Sequence, residues 1–144
     1  MNEIYNLVKG FKTKYPRTIA WRLKAHSKVA TMHLNPDEEV RYAFACQKNL
    51  YSYELFRTFV VVLTNKRIII AQKRLLFGYL FITVTPDLYN DLTVAGGILW
   101  GKVNIDTVKE VIQLSNIDKR ALPEIETKIT EFMLEAKKEY DSGE

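Results

Sequence analysis

The spacing of apolar residues changes twice along this chain of 144 residues. Apolar positions recur every three or four residues near the N-terminus, every second residue from Glu39 onward, and every three or four residues again after Pro123. The outer patterns are typical of amphipathic helices, and the middle one is typical of strands. The chain is therefore predicted to be mainly β, in the α+β class, with helices at both ends.

The first long helix is predicted from Pro16 to Leu34. Proline suits a first helical turn, and Pro36 cannot continue the pattern. Residues 2–9 are predicted to add a shorter helix. The apolar stripe of the long helix, expected to face the core, consists of Ile19, Ala20, Leu23, Ser27, Ala30 and Leu34.

Seven short strands are predicted between the helices. The first alternates from Glu39 to Gln47 as a strand with one buried face does. Asn65-Lys66 separates two β-branched runs as a hairpin turn, and Gly96-Gly97 permits positive φ in another turn. The predicted strands cover residues 39–47, 56–64, 67–73, 79–85, 92–95, 98–106 and 110–114. Their short connections indicate an antiparallel meander.

The closing helix is predicted to begin at Pro123, with Glu124 in the first turn, where negative charge suits the helix dipole. Its apolar positions recur at spacings of three or four: Ile125, Ile129, Phe132, Ala136 and Tyr140. A helix of this kind can plug an antiparallel barrel.

Charge is unevenly distributed along the chain. The net charge is only +4, from 21 Lys and Arg against 17 Asp and Glu. The first 30 residues hold seven of the basic residues and only one acidic residue, Glu3. This excess indicates an anionic partner.

The basic N-terminal segment is the first candidate binding site. Arg17, Lys24 and Lys28 lie near Trp21 on the predicted helix, which could rest on an anionic membrane with the indole at the interface. In the alternative, the charged face is solvated and Trp21 packs against the barrel, a neighbouring subunit or residues 4–11. Contact with a protein partner is a third possibility, and the sequence leaves all three open.

The loop after the first strand is the second candidate. It contains Lys48, Tyr51, Tyr53 and Arg57. Aromatic and arginine side chains are typical interface anchors. The alternative is that these rings cover the open end of the barrel. The basic pairs Lys66-Arg67 and Lys73-Arg74 are interpreted as strand ends held in water.

Residues for catalysis or metal binding are scarce. Cys46 lies on the apolar face of the first strand, where a thiolate is disfavoured. His26 and His33 are two helical turns apart, about 10 Å along a helix axis, too far to share a metal ion. No phosphate-binding glycine motif occurs. We therefore expect no enzyme activity and no cofactor or metal, and we identify no small-molecule substrate.

Other partners and locations are limited as well. The sheet offers few pairs of aromatic and basic residues for stacking bases, so nucleic acid is not expected. The sequence shows no secretory signal, and its longest apolar run is short of the roughly 20 residues that span a bilayer. A cytoplasmic location is the default, with peripheral contact at the inner face of the membrane as the alternative.

Several motifs resemble bacterial pleckstrin-homology (PH)-like domains, the YokE-like group among them. Residues 63–69 (LTNKRII) resemble a hairpin of that family, and residues 36–40 (PDEEV) look like its acidic entry into strand one. Residues 99–102 (LWGK), 116–118 (NID) and 122–123 (LP) are similar to its later strands and helix start. The resemblance covers roughly residues 35–140.

The resemblance implies a seven-stranded antiparallel barrel or roll capped by the C-terminal helix. Residues 35–144 would form the PH-like domain, and residues 1–34 an appended helical extension. PH-like domains are mostly binding modules, which implies a protein partner or self-association, with anionic lipid as the alternative. The basic pattern of phosphoinositide-binding PH domains is incomplete, because Leu55 stands where that pattern has a basic residue.

Overall fold

The computed structural model describes the backbone of residues 3–48 and 58–142, with side chains as far as residue 138. Helices α1 (Glu3–Lys14) and α2 (Leu23–Met32) precede the sheet. The strands are β1 Val40–Gln47, β2 Thr58–Thr64, β3 Ile68–Lys73, β4 Tyr79–Val84, β5 Tyr89–Gly96, β6 Trp100–Thr107 and β7 Val111–Asp118. A 3₁₀ turn, Lys119–Ala121, then leads into helix α3, Leu122–Ser142.

The strands form one antiparallel sheet in the order β4-β3-β2-β1-β7-β6-β5. Its two halves meet where β1 pairs with β7, through Gln47 and Ser115. The sheet curls into a half-barrel, and α3 packs Ile125, Ile129 and Phe132 into its interior. The predicted α+β fold, with seven antiparallel strands and a C-terminal helix, is confirmed.

The first half of the sheet has a core on each face. On the inner face, Phe44, Val61 and Ile70 join the barrel interior. On the outer face, Ala43, Ala45, Val60, Val62, Ile69 and Ala71 pack against buried residues of the N-terminal segment. The prediction that the first strand has one buried face is therefore wrong: α1 packs on its second face, and α2 packs on β2 and β3 beside it.

The prediction of one helix from Pro16 to Leu34 is also wrong. Residues 15–22 form a non-helical connection between α1 and α2. Distant residues satisfy its polar groups: Ile19 N–H donates to Asn116 O at 2.9 Å, and Thr18 Oγ1 accepts from Asp118 N–H at 2.9 Å. Lys12 Nζ donates to the Pro16 carbonyl at 3.0 Å. These bonds replace a helical ladder, which the amphipathic pattern alone could not reveal.

A second contact holds the N-terminal segment on the half-barrel. The Glu124 carboxylate of α3 accepts hydrogen bonds from Lys14 Nζ at 2.6 Å, Tyr15 Oη at 3.0 Å and Tyr42 Oη at 2.7 Å. Burial opposes charge on Glu124, but these donors lower its pKa overall below the usual value. One carboxylate thereby connects the end of α1, strand β1 and helix α3.

Candidate binding surface

The turn between β3 and β4 presents three large apolar side chains to solvent. We call Leu75, Leu76 and Phe77 the hairpin tip; their exposed fractions are 66%, 80% and 84%. Arg74 N–H donates to Gly78 O at 3.0 Å to close the turn, and Gly78 takes the positive φ of 76°. Gly96-Gly97, a pair that permits positive φ, does not adopt it. A turn of this kind usually carries polar residues, so its apolar content is unusual.

A basic groove runs from the base of this hairpin along α2. Its narrower end holds about 120 Å³ beside Trp21, Arg22 and Arg74. Its wider part holds about 350 Å³ between Lys28 and Met32 of α2 and the first residue of β4. Arg22 and Lys73 line both parts, and none of the described residues lining either part is acidic. We call this surface the basic groove.

The chain just before α2 positions the narrow end of the groove. Trp21 N–H donates to Thr58 Oγ1 at 3.1 Å, and the indole stays half exposed. Arg22 lies in the left-handed region at φ 54°, ψ 42°, a conformation that costs a non-glycine residue about 1–2 kcal/mol. Arg22 Nη1 donates to Lys73 O at 3.3 Å. The arginine therefore links the start of α2 to the end of β3.

His26 provides a second link between these elements. Its Nδ1 accepts from Lys73 N–H at 2.8 Å, and its side chain lies on the buried face of α2. Burial, followed by the nearby Arg22 charge, lowers the pKa of His26 to about 4, although a backbone hydrogen bond with Trp21 acts in the opposite direction. The imidazole is thus neutral near pH 7 and serves as an acceptor that fixes the end of β3.

The opposite end of β3 has a different character. Arg67 Nε and Nη2 donate to the two oxygens of Glu38 at 2.8 and 2.9 Å, and the Glu38 side chain has no exposed surface. Burial opposes charge on Glu38, but hydrogen bonds from Arg67, Thr64 Oγ1 and Asn35 N–H lower its pKa below the usual value. The interpretation of Lys66-Arg67 as a pair held in water is therefore wrong for Arg67. Lys66 is exposed and pairs with Asp37.

The residues of the first candidate site, in the basic N-terminal segment, lie in two separate regions of the structure. Trp21 and Lys28 line the basic groove, and Lys24 is exposed on α2 outside its lining. Arg17 lies at the other end of the connection, where its backbone N–H donates to Asp118 Oδ2 at 3.3 Å and its carbonyl accepts from Trp100 Nε1 at 2.7 Å. The four residues do not share one helix as predicted, because Arg17 and Trp21 precede α2.

Most of the second candidate set lies outside the residues that the structure describes, namely Tyr51, Tyr53 and Arg57. Lys48, directly after β1, is half-buried.

Sequence reasoning missed the hairpin tip and Arg22, and it interpreted Lys73-Arg74 only as a strand end held in water. A signal was present: residues 73–80 (KRLLFGYL) place three bulky apolar residues between a basic pair and the turn glycine. Leu75, Leu76 and Phe77 fall between the predicted strands 67–73 and 79–85. An apolar turn next to cations was therefore the signal that could have pointed to this candidate surface.

Side chains that could support other chemistry are few in the described parts of the chain. Burial raises the pKa of the Cys46 thiol, which lies in the barrel interior, so it is a poor nucleophile. Across residues 3–48 and 58–142, no three His, Cys, Asp or Glu side chains cluster as a metal site would require. Within the same residues, no helix combines the length and apolar character needed to cross a bilayer.

Comparisons with known proteins identify the family. The family model described as "Bacterial PH domain" matches residues 34–131. The chain belongs to this family. A pleckstrin homology domain from Shewanella amazonensis SB2B, known from a crystal structure, is 14% identical with a TM-score of 0.44; the match covers 72% of this chain and 79% of that one. A search of curated proteins finds no match.

The matched segment of this bacterial PH domain begins at Leu34, after α2, and includes the tip and both ends of β3. The groove is therefore assembled from two sources. Lys73, Arg74 and Tyr79 belong to the matched segment, whereas Arg22 and Lys28 precede it.

Proposed function

We propose that this bacterial PH domain is a non-enzymatic binding module that docks on anionic membrane surfaces through its hairpin tip. The observation that carries the proposal is the exposure of Leu75, Leu76 and Phe77 directly beside the basic groove. Membership of a family of PH-like domains, which are generally non-catalytic binding modules, supports a binding role.

Two energetic terms favour this arrangement. Burying one large apolar side chain is worth about 1.5–3 kcal/mol, so inserting the tip offsets the cost of holding the domain at the interface. Each Lys or Arg near an anionic surface adds about 1 kcal/mol. Arg22, Lys73 and Arg74 lie beside the base of the hairpin tip, so they would reach the lipid headgroups when the tip is inserted. The half-exposed Trp21 lies next to them, and indole rings favour this interfacial depth.

Vesicle co-sedimentation tests the proposal. The protein is mixed with phosphatidylcholine vesicles, with and without phosphatidylserine, at low salt and at about 0.15 M salt, where screening shortens electrostatic range to about 8 Å. We expect pelleting with the anionic vesicles and weaker pelleting at the higher salt. No pelleting under any condition would overturn the proposal.

A single substitution at the tip, Phe77→Ser, locates the contact. Removing this ring is expected to weaken vesicle binding about 10-fold or more, because about 1.5 kcal/mol or more of burial is lost. Ile98→Ser is the matched control, since Ile98 is 92% exposed at the β5–β6 turn. Equal loss in both variants would argue against the tip as the contact.

A protein partner, including a second copy of the chain, is the other candidate function. The observation that favours it is the position of β4 at one end of the sheet, where the outer edge of the strand pairs with no other described strand. Light scattering checks self-association, and a strictly monomeric mass across the micromolar range would contradict it.

A further inference from the structure

We propose that the free edge of β4 and the basic groove together bind an extended, acidic segment of a partner protein. The segment would add to the sheet as a new strand. This site goes beyond the membrane contact, and of the hairpin tip only Leu75 borders it.

The hydrogen-bond register identifies the free backbone groups of β4. Arg74 N–H donates to Gly78 O, which makes these two residues a hydrogen-bonded pair, and such pairs recur at every second residue of an antiparallel ladder. The next pairs are therefore Gln72 with Leu80, Ile70 with Ile82 and Ile68 with Val84. By this alternation, the N–H and C=O groups of Tyr79, Phe81 and Thr83 point away from β3.

This edge lacks the protection that proteins usually give to an exposed strand. Natural edge strands are commonly blocked by lysine or another charge, by proline, or by a covering element. The sequence of β4, YLFITV, contains no charged residue and no proline. In the described part of the chain, β4 pairs only with β3. The edge is therefore open to pairing with an incoming strand.

The basic groove lies on the side of β4 that Tyr79 faces. In a sheet, a residue opposite Tyr79 points to the same face, and every second residue after it does too. Alternate side chains of an added strand would consequently point toward the groove and its three cations, Arg22, Lys28 and Lys73. Met32 and Val29 supply apolar contact in the same lining.

Charge selects the occupant. The described lining of the groove contains cations and no carboxylate, so an acidic side chain at every second position is complementary to it. A second copy of this chain would bring the same three cations toward each other across paired β4 edges. Such like-charge contacts disfavour the second copy and favour an acidic partner segment.

Peptide binding tests the inference. The probe is a capped, fluorescently labelled peptide of alternating Glu and Val, and the control is a peptide of alternating Lys and Val. We expect the Glu peptide alone to bind, more weakly at higher salt. Equal binding of both peptides, or no binding of the Glu peptide at millimolar concentration, would overturn the inference.

Amide hydrogen exchange identifies the mode of binding. Adding the Glu peptide should slow exchange at the Tyr79, Phe81 and Thr83 amides about 10-fold or more, because new ladder bonds protect them. Binding without this protection would refute strand addition. Protection of the same amides on raising protein concentration without peptide would instead identify a second copy as the occupant and refute the acidic partner.

Two charge reversals on one helix provide the matched pair of variants. Lys28→Glu places a carboxylate in the groove and should lower the affinity for the Glu peptide about 10-fold or more. Lys24 is exposed outside the groove lining, so Lys24→Glu should change this affinity far less. Equal effects would mean that the peptide responds to overall charge and not to the groove, against the inference.

The tip variant separates this inference from the proposed membrane function. Phe77→Ser should leave Glu-peptide affinity unchanged, because Phe77 is not in the groove lining. Peptide binding that persists when vesicles fail to bind would support the strand-addition site alone. Loss of vesicle binding by Lys28→Glu with no change in peptide affinity would assign the groove to lipid and overturn the inference.

Discussion

The two ends of strand β3 differ in what holds them and in what they present to solvent. At the β2–β3 turn, Arg67 and the buried Glu38 satisfy each other within the chain. At the β3–β4 turn, the strand end is held by His26 of α2 and by Arg22, which directly precedes that helix, and the apolar tip points into solvent. One end is thus closed by internal polar contacts, while the other exposes large apolar side chains to solvent.

The comparison separates a family signature from a binding surface. The LTNKRII run that carries the family resemblance lies at the closed end, where Thr64, Asn65 and Arg67 make the turn's hydrogen bonds. The tip at the open end belongs to no recognised motif. Residues that identify this fold therefore stabilise it, whereas the candidate partner contacts lie at the other end of the same strand.

The largest expected effect comes from breaking the closed end. Arg67→Ala leaves the Glu38 carboxylate buried without its partner, which should lower the free energy of unfolding by about 3 kcal/mol. Urea unfolding measures it. Lys66→Ala, which removes an exposed ion pair in the same turn, should cost at most about 1 kcal/mol. Similar losses in the two variants would contradict the difference between the two ion pairs.

The free energy of unfolding is expected to depend on pH through His26, which holds the end of β3 next to the hairpin tip. The unfolded chain protonates His26 near pH 6.5, but the folded chain does so only near pH 4. Its contribution to stability is therefore complete above pH 6.5 and decreases as the pH falls toward 4, by up to about 1.4 kcal/mol per pH unit.

The variant His26→Asn tests this assignment, because its amide oxygen can accept from Lys73 N–H without titrating. Urea unfolding between pH 7 and pH 4 should give a flatter stability profile for the variant than for the wild-type protein. Parallel profiles would rule out His26 as the source of the slope.

The smallest expected effect on stability is at the hairpin tip. Replacing Leu75, Leu76 and Phe77 together by serine should change the free energy of unfolding by about 0.5 kcal/mol or less, since the side chains are mostly exposed. Thermal and urea unfolding measure this. A larger loss would mean that the tip packs within the chain, and the contrast between the two ends of β3 would fail.

Local patterns predicted most of the half-barrel. Strands β3 and β4 begin and end within one or two residues of the predicted bounds. Their apolar, β-branched residues indicate strands, and the turns at Asn65 and Gly78 mark where each strand begins. The start of α3 follows equally well from Pro123 and the apolar positions after it. These features depend on neighbours in sequence, so periodicity can detect them.

The candidate surface was harder to predict. Charge and ring type indicate Lys28 and Trp21 from the sequence alone, but Arg22, Lys73 and Arg74 join them only because α2 packs across β3. The hairpin tip lies between the predicted strands 67–73 and 79–85, and the local pattern does not show whether residues there are covered. Exposure depends on what covers a residue, and that is decided by contacts far away in sequence.

By itself, the sequence determined the order of strands and helices, the family and the uneven charge, since each follows from residue type and local spacing. Only the tertiary structure decided where the N-terminal pattern breaks and which residues stay exposed. The connection at residues 15–22 is non-helical because Asn116, Asp118 and Thr58 satisfy its polar groups. Hydrogen bonds to such distant residues can override local helical preference, and they leave no periodic signal.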